Sequence, residues 1–227
     1  MPTILITGAN RGIGLEMAKQ YAGQGWRVHA ACREPGAAAA LKALGSGVRL
    51  HRLDVLAPDQ IHDVAKALAG EPVDVLVNNA GIGANTKTSI GDMDYAQWEQ
   101  LLRVNVMGPM RVAEAFMPHV AASGRRIMLF LSSRAGSITD NISGGRYLYR
   151  TSKAALNMVV KSLAIDLMPK RIVCVAVHPG WVQTDMGTAA APISAEASVT
   201  ALRALIERLE PHYNGHFVNY DGQELRW

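Results

Sequence analysis

The sequence predicts an α/β fold: a doubly wound, parallel, seven-stranded sheet with helices on both faces. Short runs rich in β-branched residues alternate with longer Ala-rich amphipathic stretches, which is the order that parallel β-α units require. The 227 residues are enough for one ample domain and leave little room for a second. No repeat, low-complexity segment or change in composition marks a linker, so we expect a single domain over residues 1–227.

The strands are expected where apolar residues run almost continuously, as they do in strands that are buried on both faces. These runs cover residues 4–7, 27–32, 48–54, 73–78, 125–132, 171–178 and 216–219. Helical sequence follows the first six runs at about residues 12–24, 36–44, 58–69, 94–118, 149–168 and 194–208. Glycines at 23, 25, 45 and 47 fall where the first two helices should end. Right-handed crossovers then distribute the helices over both faces of the sheet.

Composition excludes several classes of protein. Apolar residues make up 49% of the chain and charged residues 19%, a balance that favours a buried core over disorder. The formal charge of +4 comes without a dense Lys/Arg run, so we expect no nucleic-acid partner. The apolar runs are too short to span a membrane, and the N-terminus lacks the pattern of a secretory signal. With Cys32 and Cys174 in predicted buried strands, this indicates a reducing, cytoplasmic location.

A glycine-rich loop follows the first predicted strand directly and leads into the first predicted helix. Glycines there permit a tight turn and let the backbone approach a pyrophosphate, while free N–H groups at the helix start face the anion. Such a loop can also serve packing alone, but its place between strand and helix is the one that a Rossmann-type dinucleotide site requires. The candidate binding residues of this loop are Gly8, Asn10, Arg11, Gly12, Ile13 and Gly14.

The end of the second predicted strand indicates which nicotinamide cofactor is preferred. NAD-binding domains carry Asp or Glu about 20 residues after the glycine loop, where it accepts a hydrogen bond from the ribose 2′-OH. Here Cys32 is followed by Arg33, whose guanidinium can bind a 2′-phosphate, and Arg11 adds a second positive charge. The sequence therefore favours NADP(H) over NAD(H). Glu34 argues against this preference, and Arg33 has the alternative of being a solvated residue at a strand end.

Tyr149 and Lys153 form the candidate reacting centre. Their i, i+4 spacing at the start of a predicted helix places both side chains on one face. A nearby ammonium would lower the tyrosine pKa from about 10 by roughly one to three units, which makes the phenol a usable acid or base. Such a pair is commonly a surface pair, but Ser133 ends the fifth predicted strand, where parallel sheets place ligand-binding residues. Tyr147 lacks the lysine, and Ser132 should face away from Ser133.

The glycine loop and six further motifs, in order along almost the whole chain, resemble those of the short-chain dehydrogenase/reductase family. The loop has the spacing Gly-x-x-x-Gly-x-Gly and is preceded by Thr7. The further motifs are Asp54-Val55, Asn78-Asn79-Ala80-Gly81, Asn105, Ser133 with Gly136, Tyr149-x-x-x-Lys153 and Pro179-Gly180. Residues 178–187, with Tyr220-Asp221-Gly222 and Trp227, are similar to the C-factor and Sniffer-like carbonyl reductases of that family.

The resemblance implies a role for each motif. Asn105, Ser133, Tyr149 and Lys153 would be catalytic, with the backbone carbonyl of Asn105 holding a water that links to Lys153. Ser133, Tyr149 and Trp181 would line the substrate site. Asp54 would meet the adenine amino group, Gly180 would allow a close approach of the cofactor, and the Val182 backbone would meet the nicotinamide carboxamide. The implied cofactor contacts beyond the glycine loop and Arg33 are Asp54, Val55, Asn79, Ala80, Gly81, Tyr149, Lys153, Pro179, Gly180, Val182 and Thr184.

The expected function is therefore an NADP(H)-dependent reductase that converts an aldehyde or ketone to an alcohol. One alternative is an epimerase or dehydratase with the same Tyr/Lys pair, although such relatives usually have a longer C-terminal substrate domain. Another is a non-catalytic NADP(H)-binding sensor or a C-factor-like signalling protein. We also expect a homodimer, with a tetramer possible, because the helix after Tyr149 is apolar on more than one face. Its apolar residues are Ala154, Ala155, Met158, Val159, Leu163 and Leu167.

The residues after Thr184 bear on the substrate. Residues 185–193 are too few for a large lid and contain no Arg or Lys, so we expect an open pocket that does not require a charged substrate. Trp181, Met186 and Tyr147 would give it apolar walls. No metal is expected: His212 and His216 have ligand spacing, but Asn214 and Gly215 between them argue against a helix. Ser133 has no obvious histidine partner, which argues against a hydrolase triad.

Overall fold

The computed structural model describes residues 1–84 and 90–227 and contains the predicted parallel sheet. Neighbouring strands pair in parallel in the order β3-β2-β1-β4-β5-β6-β7, which confirms the predicted fold class. Because the strand order reverses between β1 and β4, a crevice opens there at the carboxyl ends of the strands. The strands are β1 (Thr3–Thr7), β2 (Arg27–Cys32), β3 (Val48–Arg52), β4 (Val75–Asn78), β5 (Ile127–Leu131), β6 (Val173–His178) and β7 (Phe217–Asn219).

Helices cover both faces of this sheet. In the described chain they are α1 (Gly12–Gly23), α2 (Ala39–Lys42), α3 (Pro58–Ala67), α4 (Tyr95–Leu102), α5 (Gly108–Ala121), α6 (Tyr147–Asp166) and α7 (Ala195–Arg208). Successive strand residues face opposite sides, so each face has its own core. Ile4 and Ile6 of β1 belong to the core that contains α1, α2 and α7. Leu5, between them, belongs to the core that contains α3, α5 and α6.

The structure differs from the sequence-based element bounds at several places. The single helix expected over 94–118 is α4, a π-helical turn (Arg103–Met107) and α5. The helix expected over 36–44 is reduced to α2 after a 3₁₀ turn at Pro35–Ala37, because Pro35 and Gly36 disfavour the helix interior. Strands β5 and β6 begin two residues later than expected. In each case an arginine with a left-handed backbone precedes the strand, Arg126 (φ 56°) or Arg171 (φ 56°).

Both cysteines are buried free thiols, Cys32 at the end of β2 and Cys174 inside β6, as expected. No helix within residues 1–84 and 90–227 is both long and apolar enough to cross a bilayer. The histidines with ligand spacing do not share a helical turn, because a 3₁₀ turn ends at Tyr213 and Gly215 has a φ of 75°. They lie beside carboxylates instead, His212 beside Glu210 and His216 beside Glu224.

Candidate active site

A cleft of about 280 Å³ lies at the carboxyl edge of the sheet, next to the point where the strand order reverses. It extends between Arg33 and Asp54, which follow β2 and β3, and Tyr149 and Lys153 on α6. The predicted site residues that line it are Gly8, Asn10, Arg11, Gly12, Ile13, Arg33, Asp54, Val55, Asn79, Ala80, Gly81, Tyr149, Lys153, Pro179 and Thr184. Gly14, Asn105, Ser133, Gly180, Trp181 and Val182 are not among its lining residues.

The glycine loop is held by the loop that follows β4. The Asn79 side-chain amide donates to the carbonyl oxygens of Thr7 (2.8 Å) and Gly8 (2.9 Å). The Thr7 hydroxyl accepts from the backbone N–H groups of Asn79 and Ala80, both at 3.1 Å. A Cβ on Gly14 would overlap the Gly8 carbonyl oxygen, so this position requires glycine for packing within the protein. The side chain of Asn79 therefore positions the glycine loop.

The start of α1 suits an anion. Helix α1 begins at Gly12, and its N-cap Arg11 makes no side-chain capping bond. The first N–H groups of a helix have no intrahelical acceptor, and here they open into a cleft lined by Arg11, Arg33 and Lys153. The carboxylate of Glu34 was the sequence feature that argued against NADP(H). Glu34 is exposed and does not line the cleft. The donors and the positive charges fit a dinucleotide that carries an additional phosphate.

Lys153 and Tyr149 lie together on α6, as their spacing predicts. The Lys153 ammonium lies 5.8 Å from the centroid of the Tyr149 ring and donates to the Leu131 carbonyl at 2.8 Å. A Cβ on Gly81 would be 3.8 Å from this nitrogen, so the lysine also faces the loop after β4. Burial lowers the pKa of Lys153 to about 8. The ammonium has further protons to donate within the cleft.

The hydroxyls of the two serines that follow β5 have different partners, and Ser132, not Ser133, is among the residues that line the cleft. The Ser132 hydroxyl donates to the side-chain oxygen of Asn157 at 2.5 Å and is buried. The Ser133 hydroxyl accepts from the N–H of Ala135 at 3.2 Å and hydrogen-bonds to Tyr149. Ser133 is therefore the serine beside the candidate acid.

The prediction that Lys153 lowers the pKa of Tyr149 is wrong for the protein without bound ligands. Burial raises the pKa of Tyr149, while the Ser133 hydrogen bond and the charge of Arg146 act in the opposite direction. Burial dominates because a phenolate loses its hydration there. Lys153 directs its ammonium to Leu131, and the guanidinium of Arg146 lies 5.6 Å from the Tyr149 ring centroid. The sequence motifs did not indicate Arg146, although Gly144 and Gly145 just before α6 mark an unusual turn.

Asn105 lies in the π-helical turn between α4 and α5 and is fully buried. Its side chain accepts from the N–H of Ile82 and donates to the Ile82 carbonyl, both at 2.9 Å, and also donates to the Ser152 hydroxyl at 3.1 Å. Pro109 occupies the position whose N–H would bond the Asn105 carbonyl in a regular α-helix, and proline has no N–H. The helix backbone is thus irregular at Asn105, and the Asn105 side chain joins the loop after β4 to α6.

Gly180 and Trp181 do not have the surroundings expected of cofactor and substrate contacts. A Cβ on Gly180 (φ 90°) would lie 2.7 Å from the Ile193 side chain, so glycine is needed there for packing within the protein. Trp181 is 53% exposed, and its indole N–H donates to the Gly187 carbonyl at 2.6 Å. This hydrogen bond turns the ring toward its own loop. Val182 is buried and bridges to Ile193.

The next residues of this loop extend across the cleft. A Cβ on Gly12 would lie 3.2 Å from Thr184, and one on Gly83 would lie 3.2 Å from Met186. Between them, Asp185 forms an ion pair with Arg11 at 2.6 Å. Residues 184–186 therefore contact both the glycine loop and the loop after β4. Other lining residues that the motifs did not indicate are Cys32, Leu53, Leu56, Ile82, Gln100, Val104, Leu131 and Ser132.

Asp54 lines the cleft, and its carboxylate accepts from the N–H of Leu56 at 2.9 Å. Val55 packs closely against Gly108, because a Cβ on Gly108 would lie 2.8 Å from the Val55 side chain. The turn after β3 is thus fixed by its own hydrogen bonds and by α5. Asp54 and Arg33 are held at the same end of the cleft.

Known proteins share this arrangement. The chain matches the short chain dehydrogenase family model over residues 2–193. It is 44% identical to C-signal of Myxococcus xanthus over 156 residues, which cover 69% of this chain and 93% of that protein. The carbonyl reductase Sniffer of D. melanogaster has a TM-score of 0.95 and 36% identity, with complete coverage of both chains. The NADPH-bound carbonyl reductase from chicken fatty liver has a TM-score of 0.92 and 30% identity over 100% of this chain and 99% of its own.

These matches agree with the order of the motifs and with the topology of the sheet. The family model covers most of the chain, from before the glycine loop to the end of the loop that crosses the cleft. The chain therefore belongs to the short-chain dehydrogenase/reductase family of oxidoreductases.

Proposed function

We propose that this chain is an NADP(H)-dependent carbonyl reductase that converts an aldehyde or a ketone to an alcohol. The observation that carries the proposal is one cleft that has candidate catalytic side chains at one end and a candidate phosphate-binding arginine at the other. Tyr149 and Lys153 stand at one end, beside Ser133, and Arg33 stands at the other with no carboxylate at the tip of β2. The NADPH-bound state of the chicken carbonyl reductase supports the same reading.

The cofactor would be held by groups that this chain presents along the cleft. The N–H groups at the start of α1 would face the pyrophosphate. Arg33 and Arg11 would receive the 2′-phosphate, and Asp54 would take the adenine end. Lys153 would bind the nicotinamide ribose, since its ammonium retains free protons toward the cleft. Thr184 would lie at the nicotinamide end.

The chemistry needs one hydride and one proton. When bound, NADPH supplies the hydride that adds to the carbonyl carbon. The Ser133 hydroxyl holds the carbonyl oxygen, and the Tyr149 phenol gives its proton to that oxygen as the C=O π bond breaks. Tyr149 is left as a phenolate, which the adjacent Lys153 ammonium stabilises. The products are an alcohol and the oxidised cofactor, and a proton from solvent restores the phenol.

The raised pKa of Tyr149 is consistent with this order of events. A phenol whose pKa is raised by burial stays protonated at neutral pH and is ready to donate. Lys153, with a pKa of about 8, keeps its positive charge through neutral pH. The charge of the cation then acts when the phenolate forms, which is when stabilisation accelerates the reaction.

The test is the oxidation of NADPH and of NADH, followed at 340 nm, over a panel of aldehydes and ketones. We expect turnover of several carbonyl compounds with NADPH at least about tenfold more efficient than with NADH, equivalent to about 1.4 kcal/mol. Arg33→Asp should move that ratio toward NADH, whereas Arg52→Asp, at the exposed end of β3, should not. Equal use of both cofactors by the unmodified protein would contradict the NADPH preference.

A second candidate function is a signalling or sensing role without turnover, which the identity to C-signal favours. NADPH binding without oxidation by any carbonyl compound on the panel would support it over the reductase. In that case Tyr149→Phe would leave NADPH binding unchanged and would have no turnover to abolish.

A further inference from the structure

Arg146 directly precedes the catalytic helix α6 in a conformation that is unusual for an arginine. Its φ and ψ are 51° and 36°, in the left-handed region that a residue with a Cβ adopts at an energetic cost. Gly144 and Gly145 just before it have φ values of 61° and 63°. The chain therefore makes three left-handed steps in succession, two at glycines and the third at an arginine. A third glycine would have met the backbone requirement more easily.

This backbone brings the guanidinium to Tyr149. Its central carbon lies 5.6 Å from the ring centroid, and its charge lowers the pKa of the phenol against the larger effect of burial. Lys153 lies 5.8 Å from the same centroid. The candidate acid therefore has two cations beside it, and the Ser-Tyr-Lys mechanism uses only the lysine.

The two cations differ in their surroundings. Lys153 is buried and donates to the Leu131 carbonyl. Arg146 is exposed, and within residues 1–84 and 90–227 its side chain has no hydrogen bond and no ion pair. Its neighbour Arg150, in contrast, donates to the Ser143 hydroxyl at 2.9 Å. Arg146 thus approaches Tyr149 from the solvent side with its donors free.

A second exposed arginine lies next to Ser133 in the sequence. Arg134 follows Ser133 directly, and its charge, after burial, lowers the pKa of His178 to about 4. His178 at this pKa is neutral at physiological pH and adds no charge of its own. Arg134 thus places a positive charge next to Ser133 in the chain, and Arg146 places one beside the Tyr149 ring.

We propose that Arg146 is a specificity-determining residue that binds a carboxylate of the substrate, a few bonds from the carbonyl that is reduced. The inference rests on the proposed carbonyl reductase function and names its substrate class, the oxo-carboxylates. A planar guanidinium with free donors matches a carboxylate in a two-point hydrogen bond. Its place near Tyr149 fixes that carboxylate close to the atom that accepts the proton. The sequence-based expectation of a pocket without a spare cation considered only residues 185–193, and Arg146 comes from a different loop.

The test compares phenylglyoxylate with its methyl ester, which differ in charge at one group next to the same ketone. The variant is Arg146→Asn, because asparagine tolerates the left-handed backbone while removing the charge. The matched control is Arg171→Asn, an exposed arginine with a φ of 56° that lies before the amino end of β6, at the opposite edge of the sheet from Tyr149. We expect Arg146→Asn to lower the acid-to-ester ratio of kcat/KM by at least about tenfold. Arg171→Asn should leave the ratio unchanged, and Arg146→Lys should keep part of it.

The outcomes separate this inference from the proposed function. Equal loss of kcat/KM for acid and ester in Arg146→Asn would mean that the guanidinium acts only through Tyr149, and would overturn the carboxylate contact. An unchanged ratio would overturn it as well. If the unmodified protein reduces the ester but not the acid, this inference fails while the reductase function stands. If NADPH reduces neither of these nor any other carbonyl compound tested, the proposed function itself fails.

Discussion

Tyr149 is the residue at which the proposed chemistry is most directly tested. Removing its hydroxyl as Tyr149→Phe keeps the ring between Lys153 and Arg146 and deletes only the proton donor. We expect kcat to fall by at least about 10²-fold, the usual contribution of a positioned acid, with NADPH affinity close to that of the unmodified protein. Steady-state kinetics and NADPH fluorescence titration measure the two quantities. Tyr147→Phe is the matched control, since Tyr147 does not line the cleft. Retention of most activity by Tyr149→Phe would show that another group is the acid.

At the scale of single residues, the sequence predicted which side chains form the candidate site better than it predicted their burial and hydrogen bonds. The motifs placed Tyr149, Lys153 and Ser133 correctly beside one another, because helical spacing and strand ends dictate those positions. The direction of the Tyr149 pKa shift could not be read from spacing, since it depends on how deeply the fold buries the phenol. The orientation of Trp181 was also beyond the sequence, because a hydrogen bond to Gly187 in its own loop decides it.

Among the elements, the loop after β6 shows the largest difference from expectation. Residues 185–193 were predicted to be too few for a large lid, yet residues 184–186 contact both the glycine loop and the loop after β4. The ion pair of Asp185 with Arg11 is exposed, with side-chain exposures of 75% and 62%, so it contributes at most about 1 kcal/mol. Its carboxylate also stands at the entrance for an anionic cofactor and occupies one of the arginines proposed to bind it.

We therefore expect Asp185→Asn to tighten NADPH binding by up to about fivefold at low salt, with the difference disappearing at high salt. Fluorescence titration at two ionic strengths measures this. Asp166→Asn, at the end of α6 and outside the cleft, is the matched control. Weaker binding in Asp185→Asn would instead mean that the ion pair holds the loop closed over the bound cofactor.

The interrupted helix α4–α5 shows what periodicity can and cannot predict. Apolar spacing continues through residues 94–118, so a pattern of 3.6 residues per turn predicts one helix. The π-helical turn adds a residue without breaking the apolar face. Pro109 is the local signal that marks it, because its missing N–H leaves the Asn105 carbonyl without its α-helical donor.

At the scale of the whole molecule, a buried polar cluster on β2 and β3 couples folding to pH. The imidazole of His29 lies 2.9 Å from that of His51 and 3.1 Å from the Glu71 carboxylate. Burial lowers the pKa of His29, and burial together with the charges of His29 and Arg49 lowers the pKa of His51 to about 4. Histidine in an unfolded chain titrates near ~6.5. Both histidines are therefore neutral in the folded protein over a range where the unfolded chain is charged.

The sign of the effect follows from proton counting. Between about pH 6.5 and about pH 4 the unfolded chain binds more protons, so the free energy of unfolding falls as the pH is lowered and levels off above that range. The slope is at most ~1.4 kcal/mol per pH unit for each histidine. Urea unfolding at about pH 7.5 and about pH 5 measures it. His51→Gln should flatten the slope, and His62→Gln, an exposed histidine, should not. Equal slopes in both variants would contradict this assignment.

Assembly also belongs to this scale, and we propose a homodimer through α6, with a tetramer as the larger alternative. Of the apolar residues that suggested it, Leu163 is buried within the chain and Met158 is 67% exposed. Ile165, seven residues after Met158 and not part of that set, is exposed as well. We expect a particle of twice the 24.4 kDa chain mass in light scattering at micromolar concentration. Met158→Lys with Ile165→Lys should shift it to the monomer, since charged residues disfavour such a contact. An unmodified protein that is a monomer at every micromolar concentration tested would contradict the proposal.

The overall topology was the most predictable property of the chain. Alternating strand and helix patterns allow few arrangements once crossovers are right-handed, and the glycine loop fixes which strand is first. The core followed from the same pattern, because continuous apolar runs such as Ile127–Leu131 must be buried on both faces. What the pattern could not supply was contact between distant loops, such as Arg11 with Asp185, since no periodicity relates residues so far apart in the chain.

The two buried thiols allow movements of the sheet to be followed chemically. Burial raises the pKa of Cys174, inside β6, to about 12, and a protonated, covered sulfur does not attack a thiol reagent. Its modification rate therefore reports how often the part of the sheet around β6 opens to solvent. Cys32 lies at the wall of the cleft, where a smaller opening exposes it. A dinucleotide in the cleft should slow the labelling of Cys32 more than that of Cys174, so that one molecule reports ligand occupancy and global opening through two separate sulfur atoms.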